Sequence, residues 1–252
     1  MKSFLLIIPA RLKSTRLPNK LLLKIKGKEV LRYVYDKCKK ACKEENIVVA
    51  TPDKKIVNFC KENSIKYIKT SKNCLTGTDR VKEISKKIKK DFYVNVQGDE
   101  IFVSPYSIKK VINKIRVYKQ KYIINAYTKI KNNKEFRSLS VPKVVMNNNN
   151  ELLYISRGPI PLNKKNRMNK YSHKQVCIYA YPYNLIKKIQ KNKKSKLENY
   201  EDIEILRFLE NGIKIKMIDV KGSNIAIDTY SDFQKAKRII KRNEKKIKVS
   251  NL

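Results

Sequence analysis

Acidic residues are scarce in this chain: 22 Asp and Glu stand against 60 Lys and Arg, a formal net charge of +38 over 252 residues. A field of that size attracts acidic partners, nucleic acid and anionic lipid included. Its distribution argues against a dedicated nucleic-acid surface. Lysines fall in nearly every segment, outnumber arginines, and accompany abundant Asn, Ile and Tyr. That is the compositional drift of an A/T-rich genome rather than a clustering of Arg and aromatics on one face. The C-terminal KRIIKRNEKKIK reads likewise as the solvated end of a helix.

Long apolar runs are also missing. None approaches the roughly 20 residues needed to cross a bilayer, and no basic segment leads into an apolar stretch with a small-residue cleavage site near the start. The expectation is a soluble, unexported, cytoplasmic protein without membrane insertion. The five cysteines are odd in number and form no CxxC pair, which removes a disulfide framework and a zinc site. Cys38 and Cys42 share a helix face and read as small core residues. Neither GxxxxGK[ST] nor GxGxxG occurs, so a Walker loop and a dinucleotide fingerprint are excluded. There is no repeat, low-complexity linker or clean boundary; with 41% apolar residues, residues 1–252 read as one domain.

What is present alternates. SFLLIIPA (3–10), NIVVAT (46–51), IKYIKT (65–70) and DFYVNVQGDE (91–100) read as strands, the last running into a turn. KEVLRYVYDKCKKAC (28–42), PDKKIVNFCKENS (52–64) and TDRVKEISKKI (78–88) read as helices. Short links between them predict an α/β fold, a mostly parallel sheet with helices on both faces, whose ligands sit beyond the carboxyl ends of the strands. After about residue 120 the rhythm changes. YIINAYTKI, PKVVMN, LLYISR and KQVCIYAYP read as strands, with NNNNE as a hairpin turn. Helices are expected over 183–190, 199–212 and 228–242, and a strand over 213–220.

IIPARLKSTRLPNK (7–20) places Arg11, Arg16 and Lys20 in the turn after the first strand. Planar guanidinium forks and a compact ammonium suit a polyphosphate; a solvated loop in a lysine-rich protein would look the same. NVQGDE (95–100) brings Gln97, Asp99 and Glu100 to the sheet's carboxyl edge, and IAIDT (225–229) repeats an Asp, Asp228, after an apolar run. Each Asp alone could be a helix cap. As a pair beside a cationic turn, they favour a shared hard cation such as Mg²⁺.

IIPARLKSTRLPNK, TGTDR (76–80), VNVQGDE (94–100), LLYISRGPIP (152–161), CIYAY (177–181), LENYEDIEILRFLENG (197–212) and IAIDT occur in the order and spacing of the CMP-Kdo synthetases, the 3-deoxy-manno-octulosonate cytidylyltransferases. The chain resembles that family essentially from end to end. The first motif is shared among sugar nucleotidyltransferases at large; its combination with the later ones is specific. The resemblance implies a nucleotide-diphospho-sugar transferase-like fold with a smaller inserted lobe for sugar binding and dimerisation within about 122–200, transfer of CMP from CTP to an acidic 3-deoxy sugar, most simply Kdo, for cell-surface polysaccharide or lipopolysaccharide synthesis, Mg²⁺ as cofactor, and a homodimer.

It implies roles as well. Arg11, Arg16 and Lys20 would neutralise the triphosphate; Thr76, Gly77 and Arg80 would approach the cytosine side. Gln97 and Lys20 would lie close to the reacting groups, and Asp99 and Asp228 would hold Mg²⁺. Arg157 would face the sugar carboxylate, with Gln175, Tyr179 and Glu204 also on the sugar side. No covalent nucleophile is required, so the single histidine, His173, needs no catalytic role. The chain departs from the family's pattern at Gln175, where a His is usual, at Ile205, where a Gln is usual, and at Asn19, where a Gly is usual. The first two changes are in sugar-side segments and leave open a related acidic sugar, an amino-octulosonate or nonulosonate. A remoter reading is a non-catalytic polyanion-binding protein on the same scaffold.

Overall fold

The computed structural model describes residues 2–118, 120–165, 167–190, 193–221 and 226–250, without the side chains of 243–250. In chain order the first half comprises β1 (Phe4–Pro9), β2 (Lys24–Ile25), β3 (Lys28–Glu29), α1 (Val30–Lys39), β4 (Ile47–Thr51), α2 (Lys54–Glu62), β5 (Tyr67–Lys69), α3 (Gly77–Lys87), β6 (Phe92–Val96) and α4 (Pro105–Tyr118). The second half comprises β7 (Ile123–Lys129), α5 (Asn133–Arg137), β8 (Lys143–Met146), β9 (Leu152–Ser156), β10 (His173–Pro182), α6 (Tyr183–Ile186), α7 (Lys196–Glu201), α8 (Leu206–Glu210), β11 (Ile215–Asp219) and α9 (Tyr230–Ser250).

The central sheet has the order β11-β7-β10-β6-β1-β4-β5. β5, β4, β1 and β6 are parallel neighbours, as are β11 and β7, while β10 runs antiparallel to both β6 and β7. This is the mostly parallel sheet expected from the alternation. β1, β4 and β6 are apolar and buried along almost their whole length because helices cover both faces. Leu6, Ile8, Val49 and Val94 point into one core with α1, α2 and α4; Leu5, Ile7, Val48 and Tyr93 point into the other, with α3 and α8.

Segment 122–200 contributes β7 and β10 to the central sheet. Its other strands form the antiparallel pair β8–β9, joined to the sheet through the β8–β10 pairing and, at its turn, to β11, where Met217 N–H donates to the Asn150 carbonyl (2.8 Å). Asn147 Oδ1 accepts from the N–H groups of Asn149 and Glu151, and Asn150 takes the left-handed conformation, so NNNNE forms the hairpin turn that its composition predicts.

The helix expected over 199–212 is instead two short helices, α7 and α8. Asp202 sits at φ 49°, ψ 46° and ends α7. Apolar spacing runs straight through this point, so periodicity does not reveal the break. The helix expected over 183–190 is shorter, ending at Ile186.

Candidate active site

The carboxyl ends of β1 and β6 lie side by side, and their following turns meet. A Cβ on Gly98 would stand 2.8 Å from the carbonyl oxygen of Pro9, so only glycine permits this approach. Beyond it, Asp99 faces the turn that follows β1. That turn is closed by a hydrogen bond from Asn19 N–H to the carbonyl of Leu12 (3.1 Å), with Asn19 at φ 55°. Asn is the residue other than glycine that best tolerates this left-handed geometry, so the Gly-to-Asn departure is accommodated.

Asp228 arrives from the other end of the chain. The N–H of Ile227 donates to the carbonyl of Asp99 (3.1 Å), which docks the residues just before α9 onto the turn after β6. Lys20 then lies between the two carboxylates: its Nζ donates to Asp99 Oδ2 and, at 2.9 Å, to Asp228 Oδ1. Burial opposes the charge of Lys20, but the two carboxylates outweigh it and its pKa is raised. Arg16 Nη2 stands 3.4 Å from Asp228 Oδ2. Arg11 is close by in sequence but points elsewhere, donating to the carbonyl of Leu75 (3.0 Å).

Gly77 is the first residue of α3, whose cap is Thr76. The Thr76 hydroxyl accepts from Asp79 N–H and the Asp79 carboxylate accepts from Thr76 N–H. The next two N–H groups of the helix are taken by Glu204: Gly77 N–H donates to Oε1 at 3.2 Å and Thr78 N–H to Oε2 at 2.6 Å. A carboxylate is favoured there by the helix dipole. Gln97 Nε2 lies at 3.5 Å from the same Oε1. The structure thus brings Gln97, Gly77 and Glu204 together through the break at Asp202, which turns Glu204 toward α3.

Four expected site residues are more deeply engaged than sequence indicates. Arg80 is buried and donates to Thr70 Oγ1 (2.8 Å) and to the carbonyls of Ser71 (3.1 Å) and Cys74 (3.4 Å); it fixes the loop whose Leu75 carbonyl receives Arg11. Gln175 is buried with its Nε2 on Asn125 Oδ1 (2.9 Å). Tyr179 is buried and stacks on Tyr181, ring centroids 5.7 Å apart. Arg157, 28% exposed, donates from Nε to the Glu201 carbonyl (2.5 Å), from Nη1 to the Leu139 carbonyl (3.1 Å) and from Nη2 to the Asp202 carbonyl (3.0 Å). Ile205 lies in the core. His173 lies at the start of β10, its Nδ1 2.8 Å from the Tyr171 carbonyl.

Two features go beyond what the sequence forecasts, the engagement of Arg207 and the burial of Glu100. Arg207 is buried between Glu198 (2.6 and 2.7 Å) and Asp79 (2.7 Å), which ties α8 to α7 and to the cap of α3. Its only sequence signal is a cation in an otherwise apolar stretch, Ile205-Leu206-Arg207-Phe208. Glu100 is buried beside Asp99; burial pushes its carboxyl up to about 8, and the neighbouring Asp99 charge adds to this. The Cys177 thiol hydrogen-bonds to it, while Oε2 has no partner among the described residues.

A family model described as cytidylyltransferase matches residues 5–215. The chain is 35% identical to the 3-deoxy-manno-octulosonate cytidylyltransferase of Fusobacterium nucleatum, covering 97% of this chain and 99% of that one. It is 36% identical to the protein of the same name from Parabacteroides distasonis, covering 94% and 97%. Among solved structures it is similar to a CMP:2-keto-3-deoxy-manno-octonic acid synthetase complexed with CTP, with a TM-score of 0.86, 29% identity, and coverage of 96% and 99%. The chain belongs to the cytidylyltransferase family and, within it, to the 3-deoxy-manno-octulosonate cytidylyltransferases.

Proposed function

We propose that this protein transfers CMP from CTP to the anomeric hydroxyl of 3-deoxy-manno-octulosonate and releases pyrophosphate. The observation that carries the reading is the meeting of Asp99 and Asp228 on a single cationic group, Lys20 Nζ, next to Arg16. Two carboxylates gathered around one positive charge are the donor set of a hard divalent cation, and Asp99 and Asp228 are the residues that would hold Mg²⁺. When bound, Mg²⁺ supplies polarisation of the α-phosphate and a lower pKa for the attacking hydroxyl.

The remaining work falls to the chain's own groups. Arg16 and Lys20 neutralise the triphosphate and the departing pyrophosphate, and Arg11, held on the neighbouring Leu75 loop, adds its charge from the nucleotide side. Thr76 and Gly77 open the nucleotide side, with Arg80 holding the loop behind them. Gln97 orients the reacting groups. Glu204 keeps acceptor capacity after its bonds to Gly77 and Thr78 and is suited to a sugar hydroxyl. Arg157 has five N–H donors, of which three go to carbonyls; two remain for the sugar carboxylate, one on each terminal nitrogen, and Nη2 also stands 3.9 Å from Asp202 Oδ2. Gln175 and Tyr179 support that side from within.

The cation-rich turn and the carboxylate pair together also separate this reading from polyanion binding, which has no use for paired acids. The exposed Leu139, Leu153 and Leu162 offer apolar surface for a homodimer, which light scattering would test. CTP is a cytoplasmic metabolite, and no helix among the described residues is long and apolar enough to cross a membrane, so the cytoplasm is the proposed compartment. The decisive experiment measures pyrophosphate release from each nucleoside triphosphate with a panel of acidic sugars and Mg²⁺. Release is expected with CTP and Kdo. Turnover confined to an amino-octulosonate or a nonulosonate would replace the acceptor, and no turnover with any sugar, combined with tight binding to random DNA, would overturn the reading.

A further inference from the structure

Lys143 is the first residue of β8, and its side chain is fully buried. Nζ donates to three main-chain carbonyls: Ser138 (2.9 Å), Val141 (2.7 Å) and Arg157. An ammonium has three protons, so each carbonyl receives one. The acceptors are informative. Ser138 and Val141 bracket Leu139, whose carbonyl receives Nη1 of Arg157. One buried ammonium therefore fixes both the backbone from which the Arg157 side chain departs and the loop against which its guanidinium rests.

Burying that charge is unfavourable. Desolvation lowers the Lys143 pKa to about 8, the nearby Arg157 charge adds to this, and Glu201 opposes it. An apolar residue could fill the same space without desolvating a charge, so packing alone does not account for a lysine here. The bonds to the Arg157 segment do.

We propose that Lys143 is a positioning residue that holds the Arg157 guanidinium in register for the carboxylate of the acidic acceptor sugar. The inference rests on the assignment of Arg157 to that carboxylate. Lys143 does not touch the sugar; it acts through Arg157 and the 138–141 loop. The charged groups facing it are Arg157 at the end of β9, Glu201 of α7, and, across the β8–β10 pair, Lys174, itself bonded to Glu135 of α5. Above about pH 8 the neutral amine keeps only two protons for three carbonyls, so the loop or the Arg157 backbone loses one anchor.

The test is steady-state kinetics of the full chain with Mg²⁺, CTP and Kdo. Arg157→Ala is expected to raise the sugar KM on the order of 10- to 100-fold, as the loss of a charge-assisted pair does, with the CTP KM within about twofold. An unchanged sugar KM in this variant would remove the assignment of Arg157 itself. Lys143→Met is expected to raise the sugar KM about tenfold at near-constant kcat and CTP KM, and to add nothing in the Arg157→Ala background. A normal sugar KM in Lys143→Met, a parallel rise in both KM values, or full additivity in the double variant would overturn the inference while leaving Arg157 in place. Should Lys143→Met fail to fold, the wild-type pH profile decides: the sugar KM is expected to rise through about pH 8 and to stay flat in Arg157→Ala, and equal profiles would overturn the proposal.

Discussion

At the scale of single residues, the proposed chemistry depends on two aspartates from distant parts of the chain. Asp99→Asn and Asp228→Asn are each expected to lower kcat on the order of 100-fold or more, as the loss of a preorganised charge does, while circular dichroism stays that of the native fold. Near-normal Mg²⁺-dependent turnover in either variant would refute the assignment. Lys20 gives a complementary result. The Lys20 ammonium is shared by the two carboxylates, so Lys20→Met leaves them with a diminished counter-charge. Mn²⁺ binding to the nucleotide-free variant, followed by electron paramagnetic resonance, is expected to tighten about tenfold, while the KM for CTP rises. Both aspartates are legible in the sequence because each stands shortly after an apolar run. That Lys20 bridges them is not legible, since a lysine in a chain this rich in lysine carries no signal until its neighbours are known.

At the scale of elements, the strands carry the clearer sequence signal. β1, β4 and β6 are short apolar runs bounded by polar turns, and burial on both faces leaves them no alternation to blur. The segment 199–212 misleads because its apolar spacing is helical on both sides of Asp202, and a single left-handed residue breaks the helix without disturbing the pattern. The break has a consequence for α3. Glu204 accepts from the first two N–H groups of that helix, so Glu204→Ala is expected to lower stability by about 1–2 kcal/mol in thermal denaturation, with Glu204→Gln recovering part of it. The turn after β6 contributes a pH effect. The folded pKa of Glu100, about 8, is raised above its unfolded value, so the protonated carboxyl is native-like at low pH and the contribution is lost as pH rises through about 8. Metal-free protein is therefore expected to lose stability between about pH 5 and 8 in denaturant titrations, and Glu100→Gln to flatten that slope.

At the scale of the whole molecule, the excess of positive charge is spread through the sequence, yet the fold gives part of it a direction. The turn after β1 brings Arg16 and Lys20 to the paired carboxylates at the sheet's carboxyl edge, and Arg11 to the neighbouring Leu75 loop. CTP, the more highly charged substrate, is steered by such a field more strongly than an acidic sugar with one carboxylate. Raising KCl from about 50 to about 300 mM shortens the screening length about 2.4-fold, so kcat/KM for CTP is expected to fall steeply while kcat changes little. The sugar kcat/KM should fall with a visibly shallower slope. Equal slopes for the two substrates would mean that the lysines act only as a uniform coat, the outcome that compositional drift alone predicts. A steeper CTP slope that becomes shallow in Arg16→Ala would instead locate the effective part of the field in the turn that opens the sequence.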